Sequence, residues 1–254
     1  MKKTLLFIFS ALALSACAAK YSAEDFTIKE QKEATEELVD RVTGGRADEF
    51  SVVISPDQKD GKDWFLYHAQ DGRVVLEGNN GVSVASALGH YLKTHCGWHL
   101  SWCGSQQTLP QQLPLPDEKY EAVSPYKYRY YLNYCTFNYS MSWWDFERWQ
   151  QEIDFMALNG INMPLALTGQ NSVWQRVYRR LGFTDKELEG FFSGPAYFNW
   201  FWMGNLDGWG GPLPQSFMDD HEKLQKQILH AERSLGMTPV LPAWASLREQ
   251  AHCS

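Results

Sequence analysis

Residues 142–170 read SWWDFERWQQEIDFMALNGINMPLALTGQ. Phe146, Trp149, Ile153 and Met156 recur at three- and four-residue spacing, which predicts a helix with one apolar stripe. Ser142 and Asp145 supply a capping pair at its start, and Gly160 stops it after Asn159. Glu147, Glu152 and Asp154 fall largely off the stripe and read as a solvated face. The run INMPLAL that follows is mostly apolar, as suits a strand covered on both faces in a parallel sheet. Pro164 lacks a ladder donor and implies a bulge or an irregular strand end. Most of the rings thus belong to a helix pressed onto a sheet, and the polar Thr-Gly-Gln tip faces a pocket.

Working outward, YRYYLNYCT is a strand candidate upstream, and SVWQRVYRRLG and TDKELEGFF are helices downstream. The second of these opens with a Thr184–Glu187 capping box. SGPAYFNWFWMGNLDGWGGPLPQ then forms a long aromatic loop, and connections of that length are uncommon unless functional. SFMDDHEKLQKQILHAERSLG is a helix with Leu224, Ile228, Ala231 and Leu235 on one face, and MTPVLPAW is a third strand. Strand, helix and strand in this rhythm predict the first part of a (β/α)8 TIM-like barrel over residues 125–254, ending after about the third strand. In that fold chemistry sits at the carboxyl ends of the strands, which singles out Asn133, Cys135, Thr168, Gly169, Gln170 and Trp244.

Residues 20–120 predict a small α/β domain. An acidic helix over residues 24–43 precedes three strand candidates, FSVVISP, DWFLYHA and RVVLEGN. GVSVASALGHYLKTHCG carries Val84, Leu88, Tyr91 and Leu92 at helical spacing, WHLSW reads as another strand, and a Pro-rich link closes the domain. The fold class is therefore α/β, a small domain followed by the opening of a barrel.

The first 17 residues, MKKTLLFIFSALALSAC, have a basic start and an apolar stretch too short to span a bilayer, which marks an export signal. Leu14-Ser15-Ala16-Cys17 resembles a bacterial lipobox, in which Cys17 carries the lipid and anchors an exported lipoprotein in the cell envelope, at the periplasm or cell surface. Cys96, Cys103, Cys135 and Cys253 match no zinc spacing and no CxxC. Export permits a disulfide, for which Cys96 with Cys103 is the most local pair; buried free thiols are the alternative.

A net charge of −7 and a pI near 5.5 argue against a nucleic-acid partner and disfavour an acidic polymer substrate. Aromatic content of 15% with 11 tryptophans is high; many such rings go to core packing, and an excess of Trp and Tyr also suits carbohydrate, since sugar C–H faces stack on these rings. There is no phosphate loop, GxSxG elbow or HExxH, and the seven histidines are scattered, so no metal or organic cofactor is indicated. A glycosidase needs two carboxyls across the scissile bond. No acidic residue stands at a predicted strand end; Glu187 and Glu189 lie on a helix, and Asp207 and Asp219, in or beside the aromatic loop, read as cap or turn residues, with substrate contact as the alternative.

RYYLNYCTFNYS, WWDFERWQQEIDFMALNGINMPLALTGQ, WQRVYRRLG, FFSGPAYFNWFWMGNL, GPLP and LGMTPVLPAW closely resemble the α-N-acetylglucosaminidases, the glycoside hydrolases that include the lysosomal enzyme degrading heparan sulfate. GVSVASALGHYLKTHCGWHLSWCGSQ resembles that family's small N-terminal domain, and the likeness covers most of residues 50–244. It implies a retaining hydrolase that removes terminal α-linked N-acetylglucosamine with one glutamate as acid/base and another as nucleophile. By motif position it implies substrate-binding roles for Asn133, Cys135, Tyr139, Trp200 and Met203. Both family glutamates would lie beyond Trp244, where ASLREQAHCS diverges from residue 245, and Glu249 in that tail fits neither role. The expectation is an N-terminal fragment, inactive by itself. The alternative is a non-catalytic surface lipoprotein that binds carbohydrate.

Overall fold

The computed structural model describes residues 26–102 and 104–241. Helix α1 (Ile28–Thr43) opens with a reciprocal cap between Thr27 and Glu30 and closes at Gly44, whose φ of 67° is open to glycine without strain. Strands β1 (Phe50–Ile54), β2 (Trp64–Gln70) and β3 (Arg73–Gly78) follow, then helix α2 (Gly81–His95), a hairpin of β4 (His99–Ser101) and β5 (Gly104–Gln106), and strand β6 (Tyr120–Val123). The main sheet runs β1-β3-β2-β6, parallel between β1 and β3 and antiparallel elsewhere. The sequence reading did not anticipate β6. Its residues YEAV are mostly exposed, so the strand forms an edge that carries no strong apolar signal. Helices α1 and α2 cover the sheet, and Val84, Leu88, Tyr91 and Leu92 of α2 are fully buried, as their spacing predicts.

The second unit begins at strand β7 (Tyr130–Tyr131), followed by the one-turn helix α3 (Phe137–Ser140), helix α4 (Phe146–Leu158) and strand β8 (Met163–Pro164). Helices α5 (Gln170–Arg180), α6 (Asp185–Phe191), α7 (Phe198–Trp202) and α8 (Gln215–Ser234) complete it. Strands β7 and β8 pair in parallel, and Leu165 bridges Val240, also in parallel, so three chain segments lie side by side in the order expected of a barrel's opening. Strand β8 is two residues long and ends at Pro164, the irregular strand end that its missing donor implies, although backbone pairing carries on past it. The amides of Met163 and Leu165 reach the Arg129 and Tyr131 carbonyls, while the Pro164 carbonyl accepts from Val240. Ladder donors alternate sides in such a pairing, so the missing N–H falls on the Val240 side only.

Several expectations need correction. The strand at YRYYLNYCT is two residues long, because Asn133 turns the chain into a 3-10 turn by accepting from the Cys135 amide at 2.8 Å. Asp145 alone caps α4, accepting from the Arg148 amide at 2.9 Å, whereas Ser142 lies buried in the preceding turn. The aromatic loop is partly helical, with Phe198, Phe201 and Trp202 of α7 in the core. Glu152 and Asp154 are buried rather than solvated: the small domain and α1 cover that side of α4. Buried carboxylates need partners. Asp154 is gripped by the Arg41 fork at 2.9 Å through each nitrogen, and Glu152 by three donors described below.

Candidate functional site

At the carboxyl end of β7 the chain makes the 3-10 turn Tyr134–Thr136 and then α3, which presents Asn133, Cys135 and Tyr139. Asn133 and Tyr139 are exposed, Tyr139 by 74%, and Cys135 is a partly buried free thiol. Trp200 sits partly exposed on α7 and Met203 is exposed just past its end. Helix α7 packs against both the turn and α3, so the fold brings together two segments more than 60 residues apart in the chain. The Asn199 amide donates to Asn138 Oδ1 at 3.3 Å, and the Phe137 and Trp202 rings lie 5.9 Å apart.

The segment that follows strand β8 lies against α7. In the turn between β8 and α5 Thr168 is buried and Gly169 takes φ 79°; at the start of α5 Gln170 is buried and the Asn171 carboxamide oxygen accepts from the Trp202 indole at 2.9 Å. Gly169 cannot take a side chain easily: a Cβ would meet the His221 carbonyl at 3.0 Å. Beneath the exposed residues lies a buried polar layer in which Thr168 Oγ1, Gln170 Oε1 and both amide atoms of Asn199 lack partners among the described residues. Unsatisfied buried polar groups mark places where structure serves something besides stability. Asn138, Asn171 and Asn199 escaped the sequence reading; amides set inside FNYS and NWFW were the available signal.

A third exposed ring stands close by in the chain. Trp209 is 61% exposed and meets Tyr197 edge-on at 6.2 Å. Its loop is stapled to residues 190–197 by backbone bonds from Gly194 N to Trp209 O and from Gly208 N to Phe191 O. The approach is close enough that a Cβ on Gly194 would fall on the Gly210 carbonyl.

The candidate residues Asn133, Cys135, Tyr139, Trp200 and Met203 carry no carboxylate of their own. Asp207 is exposed on the loop, and Asp219 accepts from Gln215 at 2.8 Å on α8. Glu187 is committed to its Thr184 cap, which holds its carboxyl below the usual range. Among the described residues no cluster of three or more His, Cys, Asp or Glu could hold a metal ion, and no helix is long and apolar enough to cross a membrane. Cys96 has no disulfide partner among the described residues, and burial pushes its thiol pKa up. Cys17, Cys103, Trp244, Glu249 and Cys253 lie outside the described residues.

Residues 129–247 match the family described as the α-N-acetylglucosaminidase TIM-barrel domain, and residues 33–115 match the α-N-acetylglucosaminidase N-terminal domain. The human protein named α-N-acetylglucosaminidase is 49% identical over 217 residues, covering 84% of this chain and 29% of that protein. Among solved structures, the Clostridium perfringens protein CpGH89, with two glutamates replaced by glutamine and in complex with its substrate GlcNAc-α-1,4-galactose, is 38% identical with a TM-score of 0.80. That match covers 84% of this chain and 24% of CpGH89. A family 89 glycoside hydrolase from the same organism in complex with 2-acetamido-1,2-dideoxynojirmycin gives a TM-score of 0.81 at 38% identity, covering 87% of this chain and 25% of that one.

Proposed function

The chain belongs to the α-N-acetylglucosaminidase family of glycoside hydrolases, and from that premise we propose that it forms the first walls of a pocket for a terminal α-linked N-acetylglucosamine. The observation that carries the reading is the meeting of the β7 turn with α7. Asn133 offers an amide to sugar hydroxyls, the Trp200 ring and Met203 thioether offer an apolar face, and Cys135 and Tyr139 follow Asn133 on the same turn and short helix. The chemistry proposed for the family's site is retaining hydrolysis. One carboxylic acid protonates the leaving oxygen while a carboxylate about 5–5.5 Å away attacks the anomeric carbon, and water then releases the sugar. None of these five side chains is a carboxylate, so the role proposed for them is binding and orientation.

The test has two arms. The purified 254-residue chain is expected to bind N-acetylglucosamine by calorimetry and to leave a chromogenic α-N-acetylglucosaminide intact; turnover would overturn the assignment of binding alone. Trp200→Ala is expected to weaken sugar affinity about tenfold, equivalent to about 1.4 kcal/mol. Unchanged affinity would remove that ring from the pocket. Export and anchoring through Cys17 rest on the MKKTLLFIFSALALSAC segment. Metabolic labelling with palmitate in a bacterial host is expected to mark the wild-type chain and not Cys17→Ser.

A further inference from the structure

A second feature deepens the proposed function and rests on it. A helix that follows a barrel strand runs back along the barrel, so the amino end of α4 lies at the face where strands β7 and β8 end. A cleft of about 780 Å³ follows this helix. Ser140 and Trp144 line it beside Tyr139, Arg148 and Glu152 continue it along α4, and Trp98 and Trp102 of the small domain form the opposite wall.

The polar groups in this wall are fixed by one another. Glu152, 2% exposed, accepts from the Trp102 indole at 3.0 Å, the Tyr131 hydroxyl at 2.9 Å and Arg148 Nη2 at 3.1 Å. The Arg148 guanidinium in turn lies 3.7 Å from the centre of the Trp144 ring. Trp102 stays 49% exposed although its N–H is tied to a buried carboxylate, so it is an oriented apolar plate open to the cleft. Such a plate beside a guanidinium lining the same cleft matches a sugar ring, whose C–H face stacks while its hydroxyl oxygens accept hydrogen bonds. The cleft is lined by two arginines against three carboxylates, a net charge of −1, and each arginine is already paired. A neutral glycan fits that balance better than a sulfated one.

We propose that this cleft holds the sugar units that follow the terminal residue, making the protein a reader of neutral oligosaccharides longer than a disaccharide. The test is calorimetry on the full chain with three probes. They are the disaccharide GlcNAc-α-1,4-galactose, a neutral tetrasaccharide ending in α-linked N-acetylglucosamine, and the same tetrasaccharide carrying sulfate. The neutral tetrasaccharide is expected to bind about tenfold more tightly than the disaccharide, and the sulfated one more weakly than the neutral. Trp102→Ala is expected to erase the tetrasaccharide advantage while leaving disaccharide affinity unchanged, and Trp102→Phe to keep most of it. Gln107→Trp, at an exposed position of the lining, checks the same point by filling the cleft. Equal affinity for the two neutral sugars in the wild type, or a tetrasaccharide advantage that survives both Trp102→Ala and Gln107→Trp, overturns the proposal while the pocket reading stands. If the disaccharide does not bind, the pocket reading fails instead. A neutral trisaccharide without the terminal N-acetylglucosamine then decides the cleft: Trp102-dependent binding supports it, and no binding overturns it.

Discussion

Asp63 shows how single side chains join the two units. Its carboxylate, 6% exposed, accepts from Arg129 Nη2 at 2.6 Å, Asn79 Nδ2 at 2.9 Å and the Asn80 and Asn162 amides at 3.2 Å. Arg129 and Asn162 flank β7 and β8, so one carboxylate in the small domain fixes the start of both strands. Burial raises its pKa, but the bonds from Arg129 and Asn79 outweigh it and hold the group below the usual aspartate range. Asp63→Ala strands a largely buried guanidinium and is expected to cost about 3 kcal/mol, read as a fall in the urea midpoint at constant slope. At Gly194 the limit is steric, since a Cβ would fall on a backbone oxygen that cannot swing aside. Gly194→Ala is expected to displace residues 208–211 and to change the tryptophan emission of Trp209; an unchanged spectrum and urea midpoint would contradict this. Residue identity was legible at such points only in part. Gly194 and Asp63 are visible in the sequence, but nothing local says that Gly210 or Arg129 lies against them.

At the scale of elements, α2 is the joint. A Cβ on Gly89 would lie 2.5 Å from the Leu158 carbonyl at the end of α4, one on Gly81 would lie 2.8 Å from the Leu235 carbonyl after α8, and Ser86 Oγ donates to the Ala157 carbonyl at 3.3 Å. Small residues on this face let α2 approach the ends of two barrel helices. Gly89→Ala should gain about 1 kcal/mol from helix propensity. Overpacking against a fixed backbone oxygen costs about 1–3 kcal/mol, so the second effect is expected to win. A lowered urea midpoint checks the sign, and a raised one would show that α2 has room to shift. Periodicity identified α2, α4 and α8 because an apolar stripe on one face is a local pattern. It misjudged the other side of α4, where Glu152 and Asp154 are covered by α1 and the small domain, because a polar face predicts water only if no other element arrives there.

Across the whole molecule, two buried carboxyls tilt stability with pH in opposite senses. Asp63 has a folded pKa below its unfolded one, so its contribution is present above about pH 4 and is lost as pH falls through the lower folded value. Glu232 on α8, 1% exposed and with Oε2 unpartnered among the described residues, has its pKa pushed up to about 8 by burial. The folded state therefore keeps a proton that the unfolded chain releases near pH 4.3, and stability falls as pH rises from about 4.3 through 8. Glu232→Gln is expected to flatten that decline and to raise the melting temperature at pH 8 relative to wild type, with little difference at pH 4. Melting curves at the two pH values check it; equal curves at pH 8 would show that Glu232 ionises without cost. The sequence by itself determined the α/β class, the strand–helix–strand rhythm and the family, because each rests on patterns within some 30 residues or on long matched motifs. Only the tertiary structure decided that β6 completes the small sheet, that α7 lies against the β7 turn, and that Glu152 anchors a cleft between the two units. Those outcomes depend on contacts between residues far apart in the chain, and no local period encodes which distant surface will arrive.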